Sequence, residues 1–126
     1  MKAKTILLTA FLLLVTGTVY AASSVQVRSN GGDKSSSAVS FDDTFATISI
    51  KKTTGSGKLK LELWQKHLFF PDEKVGQTPW ITEKGVGYQK VINLAGSGDY
   101  YLKVVDSGKA GGNGIGVNYK ATSFLQ

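Results

Sequence analysis

The chain of 126 residues contains no cysteine, and this absence excludes several kinds of site. Disulfide bonds, thiol catalysis, cysteine-ligated zinc and a lipid-modified cysteine all require that residue. Small domains exported to oxidising compartments often depend on disulfides. If this chain is exported, it must instead be stabilised by core packing, with or without a bound ion or partner.

Histidine is scarce as well, since His67 is the only one in the sequence. A single histidine without cysteine leaves no ordinary set of zinc ligands. A serine–histidine–aspartate triad would need arbitrarily chosen partners, and no Gly-x-Ser-x-Gly motif is present. The glycine-rich residues 111–114 precede a predicted strand, whereas a phosphate-binding loop precedes a helix. We therefore predict a protein that is not an enzyme and needs no cofactor.

Calcium is the alternative to having no cofactor, because hard cations prefer several oxygen ligands. Asp42-Asp43 and Asp72-Glu73 are adjacent acidic pairs in or near predicted loops. The Asp-x-Asp-x-Asp-Gly loop that would identify a calcium site is absent. Ordinary loop carboxylates are therefore the simpler interpretation of both pairs.

The long apolar run lies at the amino terminus, where it predicts a secretory signal peptide over residues 1–21. Lys2 and Lys4 form the basic region, residues 6–15 the apolar region, and Val19-Tyr20-Ala21 fits a cleavage site. The run is shorter than the ~20 residues needed to cross a bilayer. We expect cleavage after Ala21, secretion and no stable membrane insertion, with an uncleaved anchor as the alternative.

The predicted mature chain, residues 22–126, is moderately basic. Loss of Lys2 and Lys4 lowers its formal net charge from +6 to +4. Such a charge can favour anionic polymers or lipid headgroups, but interspersed charges more often only keep a surface soluble. We predict no nucleic acid partner. The absence of cysteine and of Asn-x-Ser/Thr acceptors favours a bacterial exported protein.

Alternating apolar and polar residues predict an all-β domain over residues 41–126. A Ser- and Gly-rich segment over residues 22–40 is predicted to be flexible, with at most one loosely paired strand. The organising strand, residues 100–105, lies between glycine turns. Further strands are predicted at residues 45–51, 58–65, 87–94 and 114–122. Short strands at this spacing predict a small antiparallel β-sandwich or jelly roll.

The alternation also predicts which side chains face the core. Leu59, Leu61 and Leu63 are expected to point inward and Trp64 outward. In the last strand, the residues expected to face inward are Ile115, Val117, Tyr119 and Ala121, and those expected to face solvent are Asn118, Lys120 and Thr122.

Residues 66–87 are the least regular part of the predicted domain and are long for a plain connection. We expect residues 68–70 to extend the preceding strand or to dock on the core, and residues 78–81 to form a short strand. Aromatic rings on a β face can stack on sugars or peptide side chains. The predicted ligand surface is therefore Trp64, Phe69, Phe70 and Trp80. The alternative is that residues 66–87 cover this face and bury the rings in a second small core.

The leucine strand, the aromatic-rich stretch, residues 98–104 (GDYYLKV) and the Gly-x-x-Tyr pattern from Gly116 to Tyr119 resemble the bacterial pre-peptidase C-terminal domains. The resemblance covers residues 45–122. These domains are small secreted β-sandwiches related to the collagen-binding modules of secreted proteases. Lys58 and Lys60 stand where that family tends to have acidic residues, and no protease domain accompanies this chain. The resemblance implies a non-catalytic extracellular sandwich without specifying its ligand.

Together these observations predict a secreted, non-catalytic β-sandwich that binds an extracellular polysaccharide or protein at or outside the cell surface. The alternative is a small exported toxin or antimicrobial protein that acts on membranes or competitor cells, suggested by the net charge and small size. The sequence leaves the oligomeric state open.

Overall fold

A computed structural model describes the backbone of residues 18–122 and the side chains of residues 23–119. Strands and turns account for this part of the chain, and no helix occurs within it. In chain order the strands are β1 (Thr18–Ser29), β2 (Lys34–Ser35), β3 (Val39–Phe41), β4 (Phe45–Thr54), β5 (Gly57–Lys66), β6 (Glu73–Gln77), β7 (Gly87–Asn93), β8 (Gly98–Gly108) and β9 (Gly111–Thr122). Residues 18–122 thus contain no helix that could cross a membrane.

The strands form two antiparallel sheets, which confirms the predicted all-β sandwich. Sheet I has the order β1-β9-β4-β7. Sheet II has the order β2-β8-β5-β6, and β3 pairs with β8 beside β2. The last strand, β9, therefore lies between β1 and β4 rather than at an edge.

The core lies between the sheets and consists of alternate residues of the long strands. On β5, Leu59, Leu61 and Leu63 are completely buried, as their spacing predicts. Their neighbours in the core are Ala46, Ile48 and Ile50 of β4 and Tyr100, Leu102 and Val104 of β8. Burying each large aliphatic side chain contributes roughly 1.5–3 kcal/mol to folding, so these strands supply much of the stability.

The orientation predicted for β9 is wrong. Ile48 of the core lies opposite Gly116, so Gly114 and Gly116 face inward, while Val117 lies opposite Thr47 on the outer face. A β-carbon at Gly114 would lie 2.6 Å from Leu61 Cδ1, because leucines of the other sheet occupy that space. The residues at positions 114 and 116 of β9 must therefore be small.

A second, smaller cluster lies on the outer face of sheet I. Val117 and Tyr119 are buried there and pack against Phe45 and Ile115. The rings of Phe45 and Tyr119 stack with their centroids 5.1 Å apart. Asn118 lies opposite Ala46 on the inner face of the sheet. Predicted to face solvent, it is fully buried, and its side-chain amide donates to the carbonyl oxygen of Phe45 at 3.0 Å. The side chains of residues 120–122 lie outside those described.

The structure differs from the predicted flexible segment over residues 22–40. β1 pairs with β9 along nearly its whole length, and Val25 and Val27 are 7% and 6% exposed. Both valines fill core space opposite the glycines of β9: a β-carbon at Gly116 would lie 3.4 Å from Val25 Cγ1. β2 and β3 continue this segment along the edge of sheet II.

The predicted signal peptide falls mostly outside the described residues, because residues 1–17 are not among them. β1 begins at Thr18, and its register against β9 shifts between Ala21 and Ser23. The predicted cleavage point after Ala21 coincides with this irregularity. Cleavage there would leave the pairing of residues 23–29 with β9 in place.

Candidate ligand-binding surface

The outer face of sheet II carries the side chains that alternate with the core leucines of β5. Lys60, Glu62 and Trp64 lie on this face, opposite Val105, Lys103 and Tyr101 of β8, respectively. Trp64 is half-buried and points away from the core, as predicted. The face is therefore a mixed surface of aromatic rings, lysines and one carboxylate.

Trp64 is held in place by contacts around its ring. Its indole stacks on Tyr101 with centroids 6.4 Å apart and planes 10° apart. Its Nε1 donates a hydrogen bond to Glu62 Oε1 at 2.9 Å, and the Tyr101 hydroxyl donates to Asp72 Oδ2 at 2.7 Å. These contacts fix the plane of the indole, which is the property that stacking on a ligand requires.

The bond between Tyr101 and Asp72 shifts the pKa of both groups in opposite directions. Donation from the Tyr101 hydroxyl lowers the pKa of the Asp72 carboxyl below its ordinary value. Burial and, after it, the hydrogen bond to Asp72 raise the pKa of Tyr101 to about 12. At neutral pH the pair is thus a protonated phenol on an ionised carboxylate.

Trp80 lies on the same face, further along β5. Its neighbour Ile81 points inward and forms a β-bridge with Leu59, so Trp80 points outward and is 37% exposed. The predicted strand over residues 78–81 is reduced to this bridge. The ammonium groups of Lys58 and Lys60 lie 4.7 Å and 4.9 Å from the centroid of the Trp80 ring, within cation–π distance.

Glu62 links the two tryptophans electrostatically. Its Oε2 lies 3.4 Å from Lys60 Nζ and 3.6 Å from Lys74 Nζ, and its side chain is 7% exposed. A nearly buried carboxylate needs such partners, because its desolvation is otherwise unfavourable. Lys60 therefore connects Glu62 to the Trp80 ring.

The loop between β5 and β6 carries three consecutive apolar side chains that face solvent. Leu68, Phe69 and Phe70 are 88%, 85% and 73% exposed, and we call these three residues the apolar tip. Two predictions for these residues are wrong. They do not extend the strand, because β5 ends at Lys66, and they do not dock on the core, because their side chains are largely exposed. Leu68, which is not part of the predicted ligand surface, belongs to the tip as well.

The base of this loop is closed by hydrogen bonds. Asp72 Oδ1 accepts from the backbone N–H of His67 at 3.3 Å, while its other oxygen accepts from Tyr101. His67 Nε2 lies 3.4 Å from Glu73 Oε1. The tip is therefore presented from a closed base next to Trp64.

The structure brings the predicted site residues to one side of the sandwich but not into one cluster. Trp64 and the apolar tip lie at one end of sheet II, whereas Trp80 lies beside Lys58 and Lys60, nearer the start of β5. Phe69 and Phe70 are exposed, so the alternative prediction, in which residues 66–87 bury the aromatic rings in a second core, is wrong for these two residues. Tyr101 joins the surface, and sequence alternation alone could have indicated it.

The acidic pairs considered for calcium are separated in the structure. Asp42 and Asp43 lie between β3 and β4, while Asp72 and Glu73 lie at the base of the apolar tip. Within the described residues, no group of three or more histidine, cysteine, aspartate or glutamate side chains could hold a metal ion. Calcium binding stays an untested alternative.

Comparisons with known proteins give only a distant likeness. No protein-family model and no curated protein matches the chain. Among solved structures, it is similar to a chain in "Structure of infectious bursal disease virus Gt strain", at 12% identity and a TM-score of 0.36. The match covers 79% of this chain and 31% of the viral chain. The resemblance to pre-peptidase C-terminal domains stays a prediction.

Proposed function

We propose that the protein is a secreted, non-catalytic β-sandwich that binds an extracellular polysaccharide or protein at or outside the cell surface. The binding surface consists of Trp64, Trp80 and the apolar tip. The observation that supports this proposal is the exposure of the tip, since Leu68 and Phe69 are more than four-fifths exposed. Folded domains rarely leave large apolar side chains together in solvent unless that surface binds something.

The two tryptophans offer a ligand two separate rings. The Trp64 ring is fixed by Tyr101, and the Trp80 ring lies beside the ammonium groups of Lys58 and Lys60. A polymer can place successive units on the two rings, while Lys58 and Lys60 donate hydrogen bonds to its hydroxyl or carbonyl oxygens.

Co-sedimentation of the mature, exported protein with isolated cell walls and insoluble polysaccharides tests the proposal. We expect the wild type to pellet and Trp80→Ala to bind roughly 30-fold more weakly, which corresponds to a hot-spot contact of ~2 kcal/mol. Tyr88→Ala is the matched control, because Tyr88 lies on β7 of sheet I and is 41% exposed. Equal pelleting of all three proteins would exclude Trp80 from the binding surface.

An exported toxin or antimicrobial protein acting on membranes is the second candidate function, and the apolar tip is the observation that favours it. A protein that lyses membranes releases dye from anionic liposomes at concentrations at which it binds them. The proposed binding module leaves the liposomes intact. Dye release by the wild type that is lost with Phe69→Ser would favour the toxin.

A further inference from the structure

We propose that the apolar tip is a lipid anchor, which inserts Leu68, Phe69 and Phe70 into the interface of a bilayer and holds the sandwich at a membrane surface. This inference rests on the proposed function, because the tip belongs to the same surface, and it assigns the tip a ligand of its own. Trp80 then remains available to a polymer or protein beside the membrane.

The position of the tip suits insertion into a planar surface. Lys66, paired with Asp99, is the last residue of β5 in the ladder with β8, and the tip follows it beyond the end of the sheet. Residues 68–71 carry no charge, so no ionic group has to be desolvated when they leave water. An uncharged and apolar tip at the end of the sheet fits a lipid interface or a deep pocket.

The area of the tip favours lipid over a protein pocket. Two phenylalanines of roughly 200 Å² each and one leucine, largely exposed, offer a few hundred Å² of apolar surface. A stable protein–protein interface uses about 800 Å² on each partner. Insertion into lipid has no such threshold, since the gain follows the apolar area that leaves water.

The rings behind the tip suit the level of the lipid headgroups. Trp64 and Tyr101 have apolar bodies and polar atoms that donate to Glu62 and Asp72. Tryptophan and tyrosine are enriched where a protein passes from hydrocarbon to water. These two rings therefore continue the apolar surface of the tip into a polar zone.

The charges at the base of the tip nearly cancel. Lys66 and Lys74 flank the loop, but Asp72 and Glu73 lie between them. Attraction to anionic lipid is consequently small at this site, and insertion depends on apolar contact. The anchor should bind zwitterionic vesicles and show little dependence on salt, unlike a cationic peptide that selects anionic membranes.

The reach of the tip limits how deeply it inserts. Three residues span at most ~11 Å when fully extended. The hydrocarbon core of a bilayer is about 30 Å thick. The tip therefore enters only the near leaflet, and binding should leave the membrane sealed.

Flotation with phosphatidylcholine vesicles tests the anchor in the mature, exported protein. We expect the wild type to float with the vesicles without releasing trapped dye. Phe69→Ser with Phe70→Ser should weaken partitioning on the order of a hundredfold, about tenfold for each ring. Tyr88→Ser with Val91→Ser is the matched control, because these β7 side chains are 41% and 51% exposed, and it should float like the wild type.

A conservative variant separates lipid insertion from recognition by a protein pocket. Phe69→Leu with Phe70→Leu should keep vesicle binding, since a bilayer requires apolar area and not ring shape. A wild type that does not float, or a serine variant that floats equally well, overturns the anchor. If the protein then still pellets with polymer through Trp80, only the anchor fails. If it floats without pelleting with any polymer, the polymer-binding function fails instead.

Discussion

The hydrogen bond between Tyr101 and Asp72 connects the fold to the candidate surface. Tyr101 belongs to β8, in the middle of sheet II, and Asp72 belongs to the loop that carries the apolar tip. The Trp64 ring stacks on Tyr101, so this one phenol positions both the indole and the loop. The hydrogen bond between Tyr101 and Asp72 could not be predicted from the sequence, because the two residues lie 29 positions apart.

The raised pKa of Tyr101 predicts that the protein becomes less stable at alkaline pH. Its pKa of about 12 in the folded protein exceeds the ordinary 10.0. Burial of the phenol and, after it, the hydrogen bond to Asp72 favour the protonated form in the folded protein. This contribution to stability is therefore fully present below pH 10 and is lost as the pH rises toward 12. Urea unfolding should show that the free energy of unfolding of the wild type falls between pH 10 and pH 12. Tyr101→Phe should have a lower free energy of unfolding at neutral pH and a smaller fall over the same range.

The acid side gives an independent check on the same bond. Because the pKa of Asp72 lies below 3.8 in the folded protein, its contribution is present above pH 3.8 and is lost as the pH falls through the lowered pKa. Tyr101→Phe removes the principal cause of this shift. Tyr88→Phe, which alters an exposed ring on sheet I, should preserve both pH dependences; equal changes in the two variants would contradict the assignment.

At the scale of the element, alternation predicts β4, β5, β7 and β8 because each strand has apolar residues at alternate positions and buries at least one of them in the core. It fails for β9, where the large apolar residues lie on the outer face of the sheet and the glycines face the core. Only the opposite sheet explains this arrangement, since Leu61 and Leu102 occupy the space beside Gly114 and Gly116. For the apolar tip, alternation gives no orientation, because whether an apolar triplet packs depends on where the loop projects. The structure leaves Phe69 and Phe70 exposed, in agreement with the predicted ligand surface.

The glycines of β9 predict a graded response to alanine. Gly114→Ala places a β-carbon 2.6 Å from Leu61 Cδ1 and should destabilise the fold by about 1–3 kcal/mol, the usual range for overpacking. Gly116→Ala should cost less, because its nearest contact is 3.3 Å. The midpoint of urea unfolding at constant slope measures both. Gly96→Ala is the control, with no atom within 4 Å, and an equal loss there would contradict the packing argument.

At the scale of the whole molecule, the domain begins earlier than its sequence suggests. The predicted boundary at residue 41 omits β1, which covers one side of β9 and contributes Val25 and Val27 to the core. The segment looks flexible because Ser and Gly are frequent in it. The sequence does not show that its two valines are core residues, because they are buried only by pairing with the inward-facing glycines of β9.

Truncation tests this extended boundary. A chain of residues 41–126 lacks β1, β2 and most of β3, so it leaves β9 without one neighbour and removes Val25 and Val27 from the core. We expect it to lose cooperative thermal unfolding and near-ultraviolet circular dichroism. The chain of residues 22–126 should keep both. A cooperative transition in the shorter chain would show that β1 is dispensable.

The interior position of β9 sets the order in which the molecule can be completed. Among the described strands, β1 is made before all others but pairs with β9, the last of them, and β4 also needs β9 as its neighbour. Pairing between segments so distant in the sequence delays folding. A chain that emerges progressively from a ribosome or an export channel therefore cannot close sheet I until residues 111–122 have emerged. Until then the nascent chain lacks its native sheet and can be threaded through a narrow pore.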